Sequence, residues 1–375
     1  MPLFGIARIS NQERKRKGDF HFISNTICLR MKILKQVLGV DVAQKELVVS
    51  LGRVHEDLTA EVYAGKVFAN TEKGFSALLE WVEKLTDSNV PVRFVMEATG
   101  VYHESFAYFL DERLHQVSIV LPTKISHYFK TLDVKTVTDY TAAEAIARFG
   151  LERKLMAWKR PNAVFKNLRQ LTRERDQVVD ARTVTKNQLH AESCEAVPSK
   201  NTIERLKALI KFLDKQEQEI KQEITALIKK DQRASDTIKL LTSIPGIGVL
   251  TAATVLAETN GFELIRNKRQ LTSYAGLDVR EKQSGTSVKG KPRISKRGNR
   301  YLRKAMHLPA LSAIQCNEGF RTVFARLVSR HGIKMKAAVA VQRKMLELMY
   351  ILYKTNTPFD AEFTSGIKKE KQLLQ

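Results

Sequence analysis

The 375-residue sequence predicts an α/β domain followed by an all-α remainder, and three observations carry that reading. Short apolar runs alternate with helical periods from Lys32 to Gly150. Charged and apolar residues then interleave at helical spacing through residues 161–240, and a further helical region opens on a Pro-Gly turn. In the first stretch, Ile33–Val40, Leu47–Leu51 and Val62–Phe68 read as three successive strands, because apolar and β-branched residues crowd into runs too short for helices. Glu72–Leu85 follows as a helix, Val92–Met96 as a strand, His103–Arg113 as a helix, Val117–Leu121 as a strand and Thr141–Phe149 as a helix. Three strands, then alternating helix and strand, is the element order of a ribonuclease-H-like domain, although other mixed α/β folds share parts of it.

The middle region reads as two long helices separated by Pro198. In TIERLKALIKFLDKQEQEIKQEITALIKK, Ile203, Leu206, Leu209, Ile210 and Leu213 share one face, followed by Ile220, Ile224 and Leu227. A helical hairpin or coiled-coil linker is expected, and a solvated structural spacer is compatible with it. The third region opens with LLTSIPGIGVLTAATVLAE, a helix end, a turn over Ile244–Gly248 and a second helix. Such a turn looks like a helix-hairpin-helix element, in which Gly246 and Gly248 admit a phosphate to the backbone N–H groups of a helix N-terminus; an ordinary Pro-Gly turn is the alternative.

The expected division is an extra or disordered segment 1–30, an α/β domain 31–155, a helical linker 156–235, a C-terminal domain 236–355 and a flexible tail 356–375. Residues 1–30 lack the apolar core of a signal peptide and carry a basic run, Arg14 to Lys17. Met31 stands directly before the first strand and reads as the natural start; a basic arm on nucleic acid is the alternative.

Composition narrows the function. The net charge of +23 is spread over several segments, which favours a polyanionic partner, most commonly nucleic acid. No apolar run approaches the roughly 20 residues of a membrane span, and no single strongly amphipathic helix gathers the basic residues. The three cysteines, Cys28, Cys194 and Cys316, lie far apart without metal-ligand spacing and read as free thiols of a reducing cytoplasm.

Two constellations carry chemistry. Asp41 follows the apolar run VLGV, Glu97 ends RFVM, and Asp139 leads into the helix of KTVTDYTAAEAIA. Carboxylates at strand ends and a helix start can converge at one sheet edge, where hard oxygen ligands suit Mg²⁺ or Mn²⁺ in phosphoryl transfer. Each acid alone is more often a cap or a surface charge. The second constellation is Ser284, before Gly285, in a stretch from Arg266 to Lys304 that holds thirteen Lys or Arg residues and two acids, Asp278 and Glu281. A hydroxyl among phosphate-sized positive charges suits a nucleophile aimed at a nucleic-acid backbone, with Lys289, Lys291, Arg293, Lys296 and Arg297 placed to neutralise the phosphate. A serine that merely touches phosphate is the plainer reading of that window.

GVDVAQKEL, MEATGVYHE, KTVTDYTAAEAIA, SIPGIG, YAGLDVREKQSG and ISKRGNRYLRKA together resemble the insertion-sequence-one-ten family of DEDD transposases, in the family's order and over Met31 to about Tyr350. The resemblance implies an N-terminal RuvC-like domain with four acids, a coiled-coil linker and a C-terminal transposase domain with a catalytic serine. It further implies a cytoplasmic, nucleoid-associated homo-oligomer that acts on donor and target DNA under a structured non-coding guide RNA. Asp41, Glu97 and Asp139 fall on the first three acidic positions and Ser284 on the serine. The place of the fourth acid is Ala142, so Glu144, Asp133 or a site of three protein carboxylates stay open. A RuvC-like junction nuclease, which uses the carboxylates and water alone, is the alternative function, and a non-catalytic nucleic-acid binder is a third class.

Overall fold

The computed structural model describes residues 32–360 except Thr99, Asp133, Lys135, Val137, Lys282, 285–287, Lys291 and Pro292. The expected N-terminal segment, the end of the tail, Asp133 and Lys291 therefore lie outside the described residues. The chain divides into two compact units after Arg160.

In the first unit, β1 (Ile33–Val42), β2 (Glu46–His55) and β3 (Ala60–Ala69) lead into α1 (Glu72–Leu85), β4 (Val92–Glu97), α2 (Glu104–Glu112), β5 (Gln116–Val120), α3 (Pro122–Phe129) and α4 (Asp139–Glu152). The sheet order is β3-β2-β1-β4-β5. The first three strands pair antiparallel, and β1–β4 and β4–β5 pair parallel. This is the mixed sheet of the ribonuclease-H-like fold expected from the element order. Its parallel strands send their C-terminal ends to one edge. Alternation along β1 serves two cores: Leu38 and Val40 pack with Phe75, Phe94 and Phe106, whereas Val37 packs with Val95 and Ile146.

Helix α4 lies so close to β1 that a Cβ on Gly39 would stand 2.3 Å from the Ala147 nitrogen and 2.4 Å from the Ala143 oxygen. Glycine in the strand and alanines in the helix together permit that approach. The sequence reading missed α3, because PTKISHYF has little periodicity. It starts with Pro at its first turn, where a missing N–H costs nothing, and buries only Ile125 and Tyr128.

The second unit begins with α5 (Ala163–Ser193) and α6 (Lys200–Lys230), capped by the side chains of Asn162 and Ser199. Then come α7 (Gln232–Thr242), α8 (Val249–Thr259) and α9 (Lys268–Tyr274). Four two-residue strands follow, β6 (Val279–Arg280), β7 (Gln283–Ser284), β8 (Val288–Lys289) and β9 (Arg293–Ile294). The unit ends with α10 (Arg300–Ala305), α11 (His307–Cys316), α12 (Glu318–His331) and α13 (Lys334–Thr355). Leu168 of α5 and Ile220, Ile224 and Ile228 of α6 share a core with Leu256 of α8 and Met345 of α13. The inner end of the long hairpin is thus part of the C-terminal core. Leu209, expected on the packed face, is instead 45% exposed; the outer half of the hairpin packs helix on helix without a third layer.

Candidate functional site: an acidic sheet edge and a basic ribbon

Asp41 is the penultimate residue of β1, inside the strand and not beyond it, and Glu97 is the last residue of β4. Asp139 opens α4, whose first turn is fixed by a reciprocal pair of bonds between Thr138 and Thr141. Parallel pairing of β1 with β4, and the seating of α4 on Gly39, bring the three acids to one edge. Burial pushes the Asp41 carboxyl above its ordinary range, and the charges of Asp139 and then Glu97 push it further; a hydrogen bond from the Val42 N–H opposes them.

The donor chemistry, three carboxylates, fits a hard divalent cation. Among the described residues no group of three or more His, Cys, Asp or Glu side chains stands at ligand spacing.

Glu144 does not join them. Asp139 lies within the helix, so Glu144, five residues on, sits roughly 140° around the axis. Its Oε1 accepts from Arg148 Nε and Nη2 at 3.0 and 2.8 Å. Glu144 is thus engaged by Arg148, and Asp133, the other candidate for the fourth acid, lies outside the described residues. A residue that sequence reasoning passed over is Asn70, at the end of β3. Its Nδ2 donates to the Ala43 and Tyr102 carbonyls at 2.9 and 3.2 Å, tying the loop after β1 to the loop after β4. Asn in a turn gives no local signal of that bridge.

In the second unit, Ser284 lies in β7 opposite Val288, and Gln283 lies opposite Lys289. Arg293 in β9 pairs with Arg280 in β6. The tip of the ribbon, 285–287, is outside the described residues. Beyond β9, Lys296 adopts a left-handed backbone and Arg297 is exposed. Gly298 follows with φ 146°, where a Cβ would stand 2.4 Å from the Tyr274 oxygen. Asn299 then caps α10 and donates from Nδ2 to Glu258 Oε2 at 2.6 Å. Arg173 grips both oxygens of the same buried carboxylate at 2.7 and 2.8 Å. Glu258 therefore anchors the loop that carries Lys296 and Arg297, a role unseen in the sequence reading. A carboxylate closing the apolar run TAATVLAE was the available signal, since such a group is buried only when paired.

The two glycines of the Pro-Gly turn separate. Gly246, at φ 88°, has no room for a Cβ, which would meet the Pro309 oxygen at 2.5 Å. It serves packing against α11. Gly248 has nothing near its Cβ position and caps α8 with no side-chain bond.

Comparison with known proteins agrees with this layout. Residues 38–192 match the IS110-type DEDD transposase model, and residues 238–325 match the model described as the transposase IS116/IS110/IS902 family. The pilin gene-inverting protein of Moraxella lacunata is 27% identical over 327 residues, covering 87% of this chain and 98% of that protein. The transposase of insertion sequence element IS1111A from Coxiella burnetii is 30% identical over 131 residues, covering 33% of this chain and 35% of its own. Thermus thermophilus RuvC, solved with a Holliday junction substrate, overlaps 33% of this chain and 99% of its own at 12% identity, with a TM-score of 0.26.

The two domain matches, in the order that the α/β unit and the helical unit occupy, define a transposase. The chain belongs to the IS110 family of DEDD transposases.

Proposed function

We propose that this transposase cuts and rejoins DNA through Ser284, assisted by the acidic edge of Asp41, Glu97 and Asp139. The observation that carries the reading is geometric: Asp41 near the end of β1, Glu97 at the end of the parallel-paired β4 and Asp139 at the start of α4 lie at the C-terminal edge of a mixed sheet. Carboxylates brought together against their repulsion cost stability and are characteristic of functional sites. Magnesium or manganese bound there would supply Lewis-acid stabilisation of charge on the phosphate oxygens.

In the reaction, the Ser284 Oγ–P bond forms and the P–O bond to the leaving strand breaks. Overall the serine proton ends on the leaving oxygen, giving a free hydroxyl end that can reverse the step onto a new partner strand. Lys289, Lys291, Arg293, Lys296 and Arg297 neutralise the phosphate as charge builds, and Gly248 offers its helix N-terminus to a neighbouring phosphate. A structured non-coding RNA guides target choice, bound mainly through backbone and shape, and the active form is a homo-oligomer in the cytoplasm at the nucleoid. Inversion, the reaction in the name of the Moraxella relative, is the kind of rearrangement such a reversible link supports. The metal-dependent junction nuclease is supported by the same α/β fold and needs no serine.

The deciding experiment is recombination by the intact protein with denaturing analysis of protein–DNA adducts. Ser284→Ala is expected to bind DNA and lose both adduct and recombination, and Asp41→Asn to lose recombination. Adduct mapping to Ser287 or Ser295, or recombination by Ser284→Ala, overturns the nucleophile. Strand cleavage without any adduct in the unaltered protein favours the nuclease.

A further inference from the structure

The sequence contains nine tyrosines, and seven are engaged. Tyr63 lies under Arg53 and Tyr301 under Arg173; Tyr108 packs on Trp158, Tyr128 on Phe149, and Tyr350 and Tyr353 on Phe262; Tyr274 donates to the Glu258 carbonyl. Tyr102 and Tyr140 differ. They are 43% and 55% exposed, and among the described residues neither ring stacks on another ring or lies under a cation.

Both stand at the acidic edge. Tyr140 directly follows Asp139. Tyr102 is in the loop after Glu97, and its carbonyl is tied through Asn70 to Ala43, two residues beyond Asp41. Leu121 and Val101, 59% and 69% exposed, lie in the same cluster of loops, since Ala98 after β4 hydrogen-bonds Val120 at the end of β5. The other exposed large apolar side chains of the unit, Leu34, Leu58, Leu85, Leu114, Val134 and Met156, are dispersed over a strand start, turns, a helix end and connecting loops. Apolar residues scattered singly over a surface are ordinary, whereas exposed ones grouped at one place mark an interaction site.

We infer that Tyr102 and Tyr140 form a stacking platform for unpaired nucleobases of the DNA strand whose phosphate is worked on at the acidic edge. The inference rests on the reading of that edge as the phosphate site. Carboxylates repel a bare backbone, so neighbouring neutral groups must supply part of the hold on the strand. A base has two flat apolar faces, and a tyrosine ring is the neutral surface that matches them. The basic residues of the chain hold phosphates equally well in paired and unpaired DNA, whereas rings reach only bases that have left the duplex. The platform therefore confers a preference for locally opened DNA.

The test uses the full chain and fluorescent oligonucleotides with 2-aminopurine at successive positions, as single-stranded DNA, duplex, and single-stranded RNA. Tyr102→Ala and Tyr140→Ala are each expected to weaken single-stranded DNA binding about five- to tenfold and to lose quenching at one position, with duplex binding changed less than about twofold. Tyr102→Phe and Tyr140→Phe are expected to behave as the unaltered chain, and thermal melting shows whether each variant is folded. Equal loss for duplex and single strand, unchanged quenching in folded Ala variants, or quenching confined to RNA overturns the inference. The phosphate-site reading is scored separately, by Asp41→Asn: if that variant still recombines DNA, the reading fails whatever the tyrosines do.

Discussion

Asp41 shows how one residue can weaken the fold while fitting the function. Its carboxyl ordinarily titrates near 3.8 and is raised by burial and by two neighbouring acids. A raised carboxylate favours the native state only while protonated. Its contribution is greatest below the ordinary value and is lost as pH rises through the raised one, so at neutral pH the charge destabilises. Asp41→Asn is expected to raise the melting temperature by about 3 °C in chelator-treated buffer, the order of shift that 1 kcal/mol makes in a domain of this size. Added Mg²⁺ should raise the melting temperature of the unaltered chain and leave the variant unmoved, which differential scanning calorimetry would show. A lower melting temperature for the variant in chelator would contradict the repulsion.

At the scale of elements, the α5–α6 hairpin is pinned by Glu217 of α6, which accepts from Arg175 and Arg182 across the pair and from Lys221 along its own helix. Burial would raise that carboxyl, but the bonds from Lys221 and Arg175 outweigh it and hold it at about 2. A depressed pKa contributes stability above the ordinary 4.5, and that contribution is lost as pH falls toward about 2. Helix content followed by circular dichroism should therefore show an acid transition below pH 4.5 that Glu217→Gln removes. Glu217→Ala, which takes away the carboxylate partner of Arg175 while Arg182 keeps Asp214, is expected to cost about 3 kcal/mol in denaturant unfolding.

For the whole molecule, the charge of +23 predicts binding that is steeply sensitive to salt. Each phosphate contact contributes about 0.9 to the slope of log K against log salt on duplex DNA. Replacing Lys296 and Arg297 together by Gln is expected to reduce that slope by roughly 2, uniformly across DNA sequences. An unchanged slope would remove these two from the phosphate contacts. No helix among the described residues is long and apolar enough to cross a membrane.

The sequence by itself determined the strands of the α/β unit, because apolar runs bounded by turns leave a chain little choice at short range. It also determined the places of Asp41, Glu97 and Asp139 at element ends, since those ends are written in the same local pattern. What it left undecided depended on contacts distant in the chain. That Glu144 turns away with Arg148 followed from where α4 begins, and that Gly246 packs while Gly248 stays open followed from the position of α11. That Glu258 grips both Arg173 and Asn299 required three elements up to 126 residues apart to meet, through partners separated by 85 and 41 residues. A buried charge finds its partners only after the backbone has chosen its packing, and no local period records that choice.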